Sequence, residues 1–475
     1  MHADVRAAKL EGEDASGPPF PRDVLCAIKT PTIDDDGETM NDGLGRCFRT
    51  IALIALAACK GTPDDHPFCS ETAPGGTTAT QVGTYYDSAY SIIQEKCVGC
   101  HRKDGTAPFT LEGYADVMAH ASAMREQIAV GAMPPWLGAR CCTEYFRDYS
   151  LTSDEKVTLL AWLDAGAPEG KAPGMLPTVA PAGGLSRVDV TLKVAEPYLP
   201  APTSGTDDTR CFLIPWPEQR PRFITGLNPV PGNRGVLHHL VVGALNGDGV
   251  KKAQALERKD GRPGIDCPGG FGDIDTVQVL GGSLLGGDFP RGIGVPVAPG
   301  SMIILSIHYS TAHQHAAFDQ SSIQFKVDDH AIEAKPLAFL NLGWVIEGGM
   351  SISAGDADAT YFYRARPEIF TQGRRVRLQN ITPHLHEFAS KIVVRTIKKN
   401  GDRECLVEIP KWRFGWEHPF WFANEKVLDP EDELYIECHF DNSASNQKNG
   451  QAPRDIAWGG NNQEMCVAFL SFTEE

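Results

Sequence analysis

Four fragments of the chain carry side chains in spacings that metal chemistry uses. Thr382-Pro383-His384-Leu385-His386-Glu387-Phe388 holds two histidines one residue apart. In a strand that spacing puts both imidazoles on one face, where they can share a transition metal that needs a third ligand from elsewhere. Val236-Leu237-His238-His239-Leu240-Val241-Val242 holds adjacent histidines, and Met302-Ile303-Ile304-Leu305-Ser306-Ile307-His308-Tyr309 is an apolar run closing on another. Gln463-Glu464-Met465-Cys466-Val467 offers a thioether, a soft ligand that favours Cu(I). Each fragment alone has an ordinary structural reading: His308 as a satisfied buried histidine, Met465 as core. Adjacent histidines in a regular strand point to opposite faces, so His238 and His239 reach one metal only at a bulge or strand end.

A fifth motif is more specific. Cys97-Val98-Gly99-Cys100-His101 is C-x-x-C-H, the attachment signature of c-type haem, with two thioethers to the macrocycle and His101 as axial ligand. The alternatives are a redox C-x-x-C or half a zinc site. A sixth haem ligand is expected downstream, and Met133 in Gly131-Ala132-Met133-Pro134-Pro135-Trp136 sits in a loop that two prolines keep from becoming helix. Met118 and Met124 fall in a helical pattern and read as core. Thr152 followed by Glu155 is a capping box opening a helix that Gly166 and Pro168 stop. Residues 81–170 therefore resemble a single-haem cytochrome c domain.

In this order and spacing, the four metal-type fragments resemble the catalytic core of the copper type II, ascorbate-dependent monooxygenases, over about residues 187–475. That resemblance implies two copper ions: one held by His238, His239 and His308 that transfers electrons, and one held by His384, His386 and Met465 that binds O₂ beside the substrate. It also implies two jelly-roll sandwiches meeting near Lys335-Pro336, and a Cys438–Cys466 disulfide beside Met465. Cys211–Cys267 is a second candidate bridge; the pairing of the eight cysteines outside the haem motif and the first 59 residues stays open. The peptide-amidating member of the family has an arginine two residues before its His-x-His and a tyrosine four residues after its methionine. Thr382 and Phe469 stand there in this chain, so amidation of glycine-extended peptides is not expected. His313 and His315 repeat the spacing of His384 and His386 in turn-like sequence with no third partner nearby, and are set aside. His120, His330, His418 and His439 read as structural or surface residues.

The elements that position these groups follow from the rest of the chain. At 475 residues it exceeds one ordinary core, and 48 glycines with 34 prolines favour turn-rich β architecture. Past Gly184 the pattern is short strands between turns, as in Asp189–Val194 and Ile392–Ile397. The expected fold class is multidomain, a small all-α cytochrome c-like domain followed by two all-β jelly-roll sandwiches. A net charge of −17 argues against nucleic-acid partners. Arg46 and Arg49, the apolar run Ile51–Ala58 and then Cys59 read as a lipoprotein signal, with Cys59 lipidated. Met40 would make a normal start, so residues 1–39 are expected to be a misassigned upstream extension. The expected division is signal 40–58, tether 59–80, haem domain 81–170, linker 171–186, and copper-binding sandwiches 187–335 and 336–475. Thirteen cysteines suit an oxidising compartment, and the expected location is the periplasm or cell surface, by an N-terminal lipid anchor in the outer membrane.

The expected function is an exported copper monooxygenase that hydroxylates a C–H bond of a small organic substrate with O₂. Its attached haem c would pass on electrons from an external reductant, ascorbate or an electron-transfer protein. The alternatives are a copper and haem electron-transfer protein without oxygenase activity, and a β-sandwich binding module with vestigial ligands.

Overall fold

The computed structural model describes residues 83–475, apart from residue 104 and the stretches 177–182, 203–205, 268–270, 272–273, 275–277, 283–285, 312–315, 347, 415–416, 448–449 and 460–462, and without the side chains of His238, Gln278 and Val279. The expected signal, Cys59, the tether, and His313 and His315 lie outside the described residues. Among the described residues no helix is long and apolar enough to cross a membrane.

Two sheets share the first β core. In one, Val190–Lys193, Ser322–Asp328, Arg222–Val230, Ile293–Val297 and Ile332–Glu333 are neighbours in that order, with Gly287–Asp288 pairing Arg222–Val230. In the other the order is Ile265–Asp266, Asp207–Pro215, Met302–Ser310, Leu237–Leu245 and Gln278–Gly282. The sequence explains the roles. Ser322–Asp328 alternates strictly, burying every second residue, because only one of its faces meets the core. Met302–Ser310 is almost continuously buried because both of its faces are covered. Ile303, Leu305, Ile307 and Tyr309 join the shared core, whereas Ile304 packs with Ala253 of the helix Gly247–Leu256 on the other side.

A second pair of sheets shares another core. One runs Lys335–Phe339, Val467–Glu474, Val376–His384 and Phe420–Leu428; the other runs Ala359–Ala365, Glu433–Phe440, Ala389–Ile397 and Arg403–Ile409.

The expected fold class is corrected by this architecture. The described residues are mostly β, with 18% in helices, and among them no all-α cytochrome-like domain leads two jelly rolls. The helices Tyr90–Lys96, Tyr114–Ala119, Ala121–Ala129 and Ser153–Asp164 are short, and do gather their own apolar cluster around Ile93, Val117 and Trp162. Between the last two, however, the chain leaves helix and joins the second β core. Tyr145 bridges Phe422, the Phe146 N–H donates to the Trp421 carbonyl, and Cys142 is disulfide-bonded to Cys405. The physical reason is composition: Trp136 and Leu137 are apolar and flank turn-forming residues, so they pack on the neighbouring sheet rather than extend a bundle. All described residues accordingly belong to one compact unit, Pro63–Glu475.

Thr152 caps the last helix as its sequence requires. Its hydroxyl accepts the Glu155 N–H at 3.1 Å, and Glu155 accepts the Thr152 N–H at 2.7 Å. Thr152→Ala is expected to lower stability by about 1 kcal/mol, readable as a shift of the denaturant midpoint with an unchanged slope.

Disulfides also join Cys211 to Cys267 and Cys438 to Cys466, the two pairs expected above; Cys142–Cys405 had no sequence signal. Three such bridges fit an oxidising environment.

Candidate functional site

The ladder between Leu237–Leu245 and Met302–Ser310 is where adjacent histidines become usable. Leu237 is opposite Tyr309 but His239 is opposite His308, so the register slips by one residue at His238. That bulge is the distortion His238 and His239 need to face one ion. The His239 and His308 Nδ1 atoms stand 3.4 Å apart. Two nitrogens bound at 2.0–2.1 Å in tetrahedral geometry lie about 3.3 Å apart, so this spacing suits a shared metal. His308 Nε2 is held by the Asp207 carboxylate at 3.1 Å, the outer support that ligating histidines use.

His384 ends the strand Val376–His384, on the face opposite the core-facing Ile381. The His384 and His386 rings are 5.2 Å apart and perpendicular. Each ring has its Nδ1 engaged, His384 with Glu417 Oε2 at 3.0 Å and His386 with the Gln463 carbonyl at 2.9 Å. Both therefore offer Nε2. His386 Nε2 is buried and without a hydrogen-bond partner. A buried ring nitrogen left unpaired is costly, and a metal ion bound there would satisfy it.

Met465 is fixed beside this pair. Its N–H donates to Glu464 Oε2, which also accepts the His386 N–H at 2.9 Å, while Glu464 Oε1 accepts the Phe388 N–H at 2.7 Å. One residue on, Cys466 is bonded to Cys438, and Val467 is opposite His384 in the sheet. Fully buried Glu464 thus ties the two chain segments of the proposed centre together. Burial pushes its carboxyl up to about 8, against the pull of those three N–H donors. Burial, with the neighbouring His384, lowers His386 to about 4 and keeps it neutral, the form that coordination would require. Burial also pulls His384 down, but the charge and hydrogen bond of Glu417 carry it above its ordinary value.

Phe414 lies between the two histidine pairs, its ring centre 5.8 Å from that of His308 and 6.0 Å from that of His386. Among the described residues no three His, Cys, Asp or Glu side chains form a metal-holding group. The first centre would need His238, whose side chain is not described, and the second would need the thioether of Met465.

A cavity of 430 Å³ holds the haem-type residues. Cys97, Cys100, His101 and Met133 all line it, with buried Met124 beside them. The cysteines are free thiols, and burial pushes Cys97 up to about 12 and Cys100 upward as well. A redox C-x-x-C needs a lowered thiol pKa, so these half-buried, cavity-lining thiols fit covalent attachment better than thiol exchange. His101 Nδ1 faces the Phe109 carbonyl at 3.1 Å, which leaves Nε2 for an axial bond. The same cavity is lined by His239 and Glu417.

A second cavity, of 330 Å³, runs along the strand that leads to His384 and contains both Thr382 and Phe469. The Phe469 ring is 5.9 Å from His384. His418, expected to be structural, lines both cavities and packs its ring on Trp136 and Phe420. His120 stacks on Phe109 at 3.9 Å and supports the His101 loop, and His439 pairs with Glu437.

Sequence reasoning missed Asp207, Glu417, Gln463, Glu464 and Phe414. Gln463 and Glu464 adjoin Met465 and were quoted with it, so adjacency was their signal; Glu417 and Phe414 carried none. No protein-family model and no curated protein matches the chain.

Proposed function

We propose that the chain is an exported two-copper monooxygenase that hydroxylates a C–H bond of a small organic substrate, with electrons entering through an attached haem c. The observation that carries this reading is the shared cavity. The residues of the haem motif, His239 of one proposed copper centre, and Glu417, hydrogen-bonded to His384 of the other, line one 430 Å³ space. The motif resemblance to the ascorbate-dependent copper monooxygenases supports it from the sequence side.

Bound copper would supply one-electron redox chemistry and a site for O₂, and bound haem c would deliver electrons singly. The residues that would hold the first copper are His238, His239 and His308; those for the second are His384, His386 and Met465. Cys97, Cys100, His101 and Met133 would hold the haem. Asp207, Glu417 and the Gln463 carbonyl orient the imidazoles, and Glu464 keeps Met465 in register with His386. Phe414 places an apolar ring within 6.0 Å of both His308 and His386. The reaction takes O₂, two protons and two electrons from an external reductant, and gives the hydroxylated substrate and water.

Disulfides fit export, and anchoring through Cys59 to the outer membrane belongs to the same proposal. The test is protein loaded with copper and haem, assayed for reductant-dependent O₂ uptake over a panel of C–H substrates. About two copper ions per chain and substrate-stimulated uptake are expected. Copper and haem cycling without O₂ consumption would instead identify an electron-transfer protein. A folded, copper-loaded Cys97→Ala/Cys100→Ala variant should be reduced at its copper far more slowly by a protein donor. Reduction at the wild-type rate would remove haem from the route.

A further inference from the structure

The 330 Å³ cavity has a floor, a roof and a side wall of different origin, and their chemistry narrows what enters. Its floor is the strand Val376–His384. Ile381 and Pro383 are buried toward the core, so Asn380 and Thr382 share with His384 the face turned the other way. Phe469 is opposite Thr382 and Ser471 opposite Asn380, which extends this face across the neighbouring strand. The roof comes from the first β core, with Leu227, Leu280, Phe289 and Val295. The side wall is the irregular segment with Trp136 and Arg147.

Most of this surface is apolar, so a ligand gains chiefly by burying hydrocarbon. Two charged side chains carrying opposite signs line it, Arg147 and Asp288. Asp288 is already committed: it accepts from the Lys326 ammonium at 2.7 Å and from the Ser186 N–H at 3.0 Å. Arg147 makes no ion pair among the described residues, and its guanidinium lies over the Phe146 ring at 5.0 Å. The guanidinium also passes against Gly287, where a Cβ would stand 1.7 Å from Nη1, so only glycine leaves it that place on the wall. An unpaired guanidinium at the edge of an apolar cavity is a fork for a planar anion, which it binds bidentately.

We infer that this cavity binds an apolar organic molecule bearing a single carboxylate, with the carboxylate on Arg147 and the hydrocarbon body over Thr382 and Phe469, directed at His384. Its role as substrate rests on the proposed function; the binding itself does not. The side chains of Asn380 and Thr382 make no hydrogen bonds among the described residues and are placed to meet a polar atom along the body.

Trp136 and Trp421 line the cavity, so intrinsic fluorescence reports occupancy. The probes are 4-phenylbutyrate, 4-phenylbutanol and 4-phenylbutylamine, titrated into the copper-free full chain and checked by calorimetry. The carboxylate is expected to bind at least tenfold more tightly than the alcohol, and the amine most weakly. Arg147→Gln should bring the carboxylate to the affinity of the alcohol while leaving the alcohol unchanged, and Arg147→Lys should restore part of the difference. Equal affinities of carboxylate and alcohol in the wild type, or a carboxylate affinity untouched by Arg147→Gln, would overturn the inference. The same carboxylate is then added to copper-loaded protein with reductant. Binding without stimulated O₂ uptake sinks the monooxygenase reading and leaves the site; stimulated uptake by the alcohol alone sinks the carboxylate.

Discussion

On the proposed two-copper function, His386→Ala is expected to bind one copper ion and the wild type two, and the variant to lose reductant-dependent O₂ uptake by on the order of 100-fold or more. Residues that merely orient a ligand cost roughly 10–100-fold when removed, and a ligand itself belongs at or beyond the upper end. The substitution removes the buried Nε2 atom that lacks a protein partner, together with the Nδ1 contact to Gln463. It leaves the backbone N–H that Glu464 accepts, so the loop carrying Met465 keeps its anchor. It also leaves the haem cavity, whose lining does not include His386. Haem reduction by the donor should therefore proceed at the wild-type rate, which separates a lost metal centre from a damaged fold. Metal analysis, O₂ consumption and haem absorbance read the three quantities independently. If the variant kept two copper ions and its uptake, His386 would be a structural histidine and the second centre would have to be sought elsewhere.

The metal-type residues were legible because their side-chain types are rare and their spacing is tied to strand geometry. His384 and His386 could be paired from sequence since period two is a local property. The adjacent histidines posed a question whose answer, a bulge at His238, depends on the register with His308 some seventy residues away. Local pattern also found the capping box at Thr152 and the strands at Val190–Lys193 and Ala389–Ile397. The fold class failed for the opposite reason. The C-x-x-C-H motif and the helix signals around it suggested an all-α domain, but nothing local in Trp136, Leu137 or Tyr145 says that they pack on a sheet formed by residues 420–428. Glu417 and Phe414 escaped for the same reason: a glutamate and a phenylalanine are common residues. What singles them out is a neighbour in space, His384 for one and the His308 and His386 rings for the other.

That long-range docking makes the Cys142–Cys405 bridge the structural bond of greatest consequence. It closes a sequence separation of 263 residues, against 56 for Cys211–Cys267. In the chain-entropy account stabilisation grows with the logarithm of loop length, giving about 5.5 kcal/mol for the long loop and about 4 kcal/mol for the short one. Removing either bridge should thus lower the unfolding midpoint by comparable amounts. Under the proposed function, their effects on electron delivery should differ. Cys142→Ser/Cys405→Ser loosens the segment that carries Trp136 and Tyr145, and with it the wall that Met133 forms in the cavity shared with His239 and Glu417. Transfer from haem to copper should slow at least tenfold, while each cofactor keeps its own spectrum. Cys211→Ser/Cys267→Ser acts in the small cluster of Ile265, Ala253 and Ile304 on the outer side of the first pair of sheets, and should leave that rate unchanged at a temperature where both variants are folded. Stopped-flow reduction, with haem and copper followed separately, makes the comparison. Equal rates in the two variants would mean that the apolar contacts of Tyr145 with Phe420 and Phe422 hold the cavity closed without the bridge.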